Sequence, residues 1–146
     1  DHFTFAELRA RGWHMAMRAA GLADDLKRIC ASSEEAGEQA AATLLAGPER
    51  PTALICATDR IAIGAVRAVQ AAGLVVGRDI AVTGHDNIHA SRFTHPALTT
   101  MELDVRTVGE CLADKLLHLI ERGMPEQAGD VFPLRQILRA SSGEAD

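Results

Sequence analysis

Apolar and polar positions change their spacing several times along the chain, and each change marks an element. From Thr4 to Ala20 the residues Phe5, Leu8, Gly12, Met15 and Ala19 fall at helical spacing, with Trp13, Met17 and Ala20 widening the face. Gly21 closes this helix as a C-cap glycine. Gly12 costs about 1 kcal/mol relative to alanine within a helix, so another backbone is expected to approach it closely. Arg28 to Ala31 predicts a short strand, and Ser32 with Glu35 has capping-box spacing at the head of a helix ending at Gly47-Pro48. The stretch TALICA is a continuous apolar run, as expected of a strand buried on both faces. Thr58 or Asp59 can cap the helix RIAIGAVRAVQAA, which stops at Gly73 before a further strand, DIAVTG.

Strand and helix therefore alternate through the centre of the chain with short loops. That alternation predicts an α/β fold with parallel strands joined by right-handed crossovers. After Phe93 the pattern changes. HPALTTMELD reads as extended, and Asp104 can cap a helix from Val105 to Arg122 with Val105, Val108, Leu112, Leu116 and Leu119 on one face. Gly123 ends it. VFPLRQIL predicts a last strand, placed at an edge by Pro133, and the tail ASSGEAD is expected to fray.

Composition narrows the reading. The 146 residues suit one domain, and 47% hydrophobic content with four Phe, one Trp and no Tyr implies an aliphatic core. The net charge is −5 with no clustered Lys and Arg to offset it, so this chain alone is not expected to bind DNA. Cys30, Cys56 and Cys111 are odd in number and lack metal-ligand spacing; they read as small buried hydrophobes of a reducing cytosol. No apolar run is long enough to span a bilayer.

Polar residues collect where strands stop. The predicted ends are Ser32 and Ser33, then Thr58 and Asp59, then His85, Asp86 and Asn87 beyond Gly84. In an open parallel sheet such ends share one edge, and ligands bind in the crevice outside it. Short polar residues also cap helices, which is the simpler role for Ser32 and Asp59. NIHASRF, after Asp86, demands no strong cap, so Asp86 reads as a ligand acceptor able to take two hydroxyl donors, as a polyol or sugar offers. His85, Asp86, His89 and His95 carry metal-ligand chemistry without a convincing helical pair. No GxSxG motif or Gly-rich phosphate loop is present. Arg11 reads as a solvated charge, while Arg9 shares a face with Trp13 and Ala16 and could turn its fork inward.

The segments PTALICATD, AIGAVRAVQAAGL, DIAVTGHDN and PALTTMELD, in this order and spacing, resemble the effector-binding domain of the lactose-repressor/galactose-repressor (LacI/GalR) family of bacterial transcription regulators. The likeness runs from RARGWHMAM to LRASSG. It implies a type I periplasmic-binding-protein-like fold of two α/β subdomains. Residues 1–96 would form the C-terminal effector-binding subdomain, 97–124 a crossover strand and helix belonging to the N-terminal subdomain, and 125–146 a returning edge strand and tail. It implies a sugar, polyol or nucleobase effector in the cleft, no cofactor or metal, no enzymatic activity and no membrane. The family's clamping arginine corresponds to Arg9 and its ligand aspartate to Asp86. Its Asn-Asp pair corresponds to Thr58 and Asp59, a departure at Thr58; the aromatic usual near Ser32 is absent, and the one usual after Gly84 is His85. Dimerisation is expected through the helix after Asp59, which holds Val66, and through IHASRF, with Arg92 and Phe93. A cytoplasmic repressor reaching operator DNA through a separate headpiece is the expectation, with the chain itself a piece of a longer regulator. A transporter's solute-binding protein and, further off, a metal-dependent enzyme using His85, Asp86 and His89 are the alternatives.

Overall fold

Two small sheets and four helices organise the described residues. The structure, a computed structural model, describes residues 4–123 and 129–143. The elements in order are α1 (Thr4–Ala19), α2 (Glu34–Leu45), β1 (Ala53–Ile55), α3 (Asp59–Ala71), β2 (Ala81–Thr83), β3 (Thr100–Glu102), α4 (Val105–Arg122) and β4 (Arg135–Ile137), with 3-10 turns at His89–Arg92 and Ala140–Ser142. β1 and β2 pair in parallel with Leu54 opposite Val82, as the alternation predicted, and α3 is the crossover between them. β3 and β4 form an antiparallel ribbon with Glu102 opposite Arg135. A single parallel bridge, Thr83 to Thr99, joins the end of β2 to the start of the ribbon.

The core is aliphatic. Leu54, Ala62, Ala65, Val66, Val69, Ile80, Val82 and Leu98 are among its buried members, gathered where α3 covers the β1–β2 pair. α2 lies directly against α3, and glycine makes that approach possible. A Cβ on Gly64 would sit 1.9 Å from the Glu34 carbonyl oxygen, and one on Gly37 would sit 2.3 Å from that of Ile61. The close helix contact expected at Gly12 is found here instead; nothing lies within 4 Å of a Cβ built at Gly12.

Several other expectations shift. The N-cap of α2 is Ser33, whose hydroxyl accepts from the Ala36 amide at 3.2 Å, and not Ser32. Arg28–Ala31 forms no strand, having no ladder partner among the described residues. Burial of β1 on both faces fails: Leu54 is buried, but Ile55 is 67% exposed because helices cover only one side of the pair. On α1 the inward face is Ala6, Arg9, Ala10, Trp13, His14 and Met17, while Phe5, Leu8 and Met15 stay exposed. The last strand is shorter than VFPLRQIL, since pairing starts only at Arg135, beyond Pro133. The tail does not fray as far back as predicted. Ser141 is fully buried, donating to the Val82 carbonyl at 2.6 Å and accepting from the Thr99 amide at 2.8 Å; residues 144–146 of that expectation lie outside those described. Asp104 caps α4 as expected, accepting from the Arg106 and Thr107 amides, but no residue of α4 is buried and Val105, Leu112, Leu116 and Leu119 face solvent.

Candidate functional site

The site forms where α1 crosses the carboxyl ends of β1 and β2. β1 ends at Ile55, and the chain turns into α3 with Thr58 as N-cap, its hydroxyl accepting from the Ile61 amide at 3.4 Å. β2 ends at Thr83, and Gly84 lets the chain pass over the start of α3. A Cβ at Gly84 would stand 2.2 Å from Asp59 Oδ1, so any larger residue would drive the two segments apart. The Asp59 amide donates to the His85 carbonyl at 2.8 Å and fixes that crossing.

Five of the six predicted ligand residues form a line of two groups, Arg9 with Asp86 and His85, then Ser32 with Thr58, linked only where Arg9 bonds the Ala57 carbonyl beside Thr58 in the chain. Arg9 reaches in from α1, donating through Nη1 to the Ala57 carbonyl at 2.5 Å, with Nη2 3.7 Å from Asp86 Oδ1. The same Oδ1 lies 2.8 Å from His85 Nδ1. An ionised carboxylate can only accept, so that ring nitrogen carries the proton. Among the described residues nothing donates to Oδ2 of Asp86, and its side chain keeps 42% of its exposure, so an acceptor stays open to solvent. At the far end the hydroxyls of Ser32 and Thr58 share a hydrogen bond of 3.0 Å. With α2 capped by Ser33, Ser32 is released for this contact. The line offers a guanidinium, a carboxylate, an imidazole and two hydroxyls. That set matches a neutral polyhydroxylated or heterocyclic ligand, each of whose groups can donate and accept.

Asp59 is not part of the line. It is fully buried beneath it, where Oδ1 accepts from the Thr100 hydroxyl at 2.5 Å and Oδ2 from the Ile88 amide at 2.9 Å. Its side chain ties the start of α3 to β3 and to the loop after Asp86, leaving no oxygen turned towards a ligand.

Sequence reasoning missed the residues that hold the turn after Gly84. Asp86 has φ +110° and Asn87 φ +48°, both in the region that disfavours side chains. The Asp86 amide donates to the Met101 carbonyl at 2.9 Å. Asn87 bonds Thr100, Glu102 and Arg139. Arg135 foremost, and then the Asn87 amide, hold the Glu102 carboxyl below its usual range. The polar residues themselves are visible in the string, but no local spacing links Asn87 to a residue 52 positions away.

The remaining candidates lie elsewhere. Arg92 and Phe93 are exposed beside a groove of about 570 Å³ between α3 and the His89–Arg92 turn. Val66 contributes to the wall of that groove but is itself buried. His89 packs on Phe93, ring centroids 4.8 Å apart, rather than beside His85. Among the described residues no three His, Cys, Asp or Glu side chains come together as metal ligands would, and no helix is long and apolar enough to cross a membrane. Burial, chiefly, pushes the Cys56 thiol up to about 12, which keeps it protonated at neutral pH.

Comparison with known proteins places this arrangement. Residues 1–142 match the family described as periplasmic binding protein-like domain. The HTH-type transcriptional repressor PurR of Glaesserella parasuis serovar 5 (strain SH0165) is 36% identical over 132 residues, covering 89% of this chain and 39% of that protein. A lactose operon repressor of Rhizobium radiobacter is 38% identical over 108 residues, 74% of this chain and 95% of that sequence. The lac repressor dimer bound to operator and the anti-inducer ONPF superposes with a TM-score of 0.87 at 32% identity, covering 94% of this chain and 42% of that one. The chain thus spans about two fifths of the length of full-length curated relatives such as this PurR and the lactose operon repressor of Escherichia coli (strain K12).

Proposed function

Because the chain belongs to the LacI/GalR family, as its periplasmic-binding-protein-like effector domain, we propose that it senses a small neutral effector for a transcriptional repressor. The effector binds along the line Ser32, Thr58, Arg9, Asp86 and His85. The observation that carries this reading is the convergence of Arg9 and Asp86, from α1 and from the end of β2, at 3.7 Å. Asp86 accepts from two ligand hydroxyls or ring N–H groups, and Arg9 donates to the ligand while its other nitrogen stays on the Ala57 carbonyl. The hydroxyls of Ser32 and Thr58 close the far end. The first ligand to try is ONPF, the anti-inducer held by the related lac repressor.

Sensing becomes regulation through segments outside these residues. A cytoplasmic homodimer, meeting its partner around Arg92 and Phe93 with Val66 behind them, would read operator DNA through a separate headpiece. The −5 charge makes this chain a poor DNA surface. The repressor relatives favour this over a transporter's solute-binding protein, and chemistry on the ligand forms no part of it. Calorimetry of the full-length protein against sugars, glycosides, polyols and nucleobases tests the proposal. Asp86→Ala should weaken the ligand found by about 1–3 kcal/mol, the cost of stranding its donors; unchanged affinity overturns the assignment.

A further inference from the structure

Two consecutive non-glycine residues at positive φ are unusual, and such backbone persists only where its surroundings over-determine it. Here the surroundings act on Asn87. Its Nδ2 donates to Glu102 Oε1 at 2.6 Å on β3. Its Oδ1 accepts from Arg139 Nη2 at 2.8 Å, just beyond β4. Its backbone amide donates to the Thr100 hydroxyl at 3.3 Å. Both clamps are themselves anchored, Glu102 by Arg135 and Arg139 by the Leu98 carbonyl at 2.7 Å and the Ser91 hydroxyl at 3.1 Å. Glycine would make the same turn with less strain. A carboxamide satisfies both sides, its N–H donating to the carboxylate and its oxygen accepting from the guanidinium. The side chain of Asn87 faces away from the ligand line, while the carboxylate of its neighbour Asp86 is the line's central acceptor.

We propose that Asn87 is a positioning residue: its amide, gripped between Glu102 and Arg139, fixes the Asp86 carboxylate towards Arg9 and the ligand. The proposal rests on the reading that Asp86 meets the effector, and it makes the β3–β4 ribbon the support of that contact. The ribbon and the ligand are then coupled through this amide as well as through the Asp86–Met101 backbone bond, so whatever shifts β3 against β4 shifts Asp86.

Two measurements on the full-length protein test this. The first, amide hydrogen exchange, needs no ligand. Asn87→Asp sets a second carboxylate against Glu102 and should speed exchange of the Asp86 amide about tenfold or more, leaving the Cys56 amide of the β1–β2 pair unchanged. Adding Glu102→Gln returns a donor to the pair at the original net charge and should restore wild-type exchange. Unchanged Asp86 exchange, acceleration of all amides together, or failure of the double variant to rescue overturns the proposal. The second measurement uses ONPF as probe. If wild type binds it, Asn87→Asp should weaken affinity about tenfold and the double variant should recover it; equal affinities overturn the proposal. If wild type does not bind ONPF, the choice of effector is at fault, and the exchange result still decides the role of Asn87.

Discussion

Asp59 offers the sharpest test of how the site is supported. Its side chain is fully buried, and each carboxylate oxygen takes one donor, the Thr100 hydroxyl at 2.5 Å and the Ile88 amide at 2.9 Å. Asp59→Ala strands both donors away from water. A buried donor left without a partner costs about 1–3 kcal/mol, so the pair predicts a loss of about 2–6 kcal/mol, a large share of the roughly 5–15 kcal/mol that holds a typical domain together. Asp59→Asn keeps one acceptor and should cost about half as much. Thr100→Val removes one of the two donors, so Asp59→Ala on that background should cost less, with a coupling of about 1–3 kcal/mol in a double-mutant cycle. Urea unfolding followed through Trp13, the sole tryptophan, measures the wild type and all four variants. A coupling near zero, or a loss below about 1 kcal/mol for Asp59→Ala, would refute the reasoning and leave Asp59 without the structural role given to it.

Gly64→Ala should destabilise by about 1–3 kcal/mol or more, because its Cβ would lie 1.9 Å from the Glu34 carbonyl oxygen and force α2 off α3; an unchanged urea midpoint would contradict the packing described. Asp79 is held down to about 2, first by its hydrogen bond with Arg78 and then by the Val75 amide. Its folded state thus favours the ionised form, a contribution present above about pH 4 and lost as pH falls through about 2. Asp79→Asn should flatten the fall in melting temperature over that window, and parallel curves for the two proteins would count against it.

Much of the α/β frame was readable because local pattern decides it. β1, α3 and β2 each announce themselves by an apolar run or a helical period, and their parallel pairing follows from their order. Asp86 stood out as a candidate because strand ends of such a sheet share an edge, and Arg9 because of the α1 face it shares with Trp13. What escaped depends on partners far away in sequence. Ser32 and Ser33 are chemically alike, and only the Thr58 hydroxyl, 26 residues on, separates the contact from the cap. Gly37 and Gly64 look like ordinary helix interruptions until α2 is laid on α3. Asp59 reads first as a cap and second as a ligand, and Thr100, from another sheet, engages it from below. Arg28–Ala31 has the composition of a strand, yet composition supplies no ladder partner.

The two bonds made by Ser141 and the guanidinium of Arg139 also set an order of events in folding. Ser141 closes on Val82 across 59 residues, and Arg139 on Asn87 across 52. Loops of that length close late, after α2, α3 and the β1–β2 pair can already have formed from nearer contacts. During synthesis, the turn carrying Asp86 therefore emerges long before the residues that secure it. A nascent chain short of Arg139 would hold its parallel strands and its helices while the turn carrying Asp86 remained unset, so the proposed recognition site would be the last part to be completed.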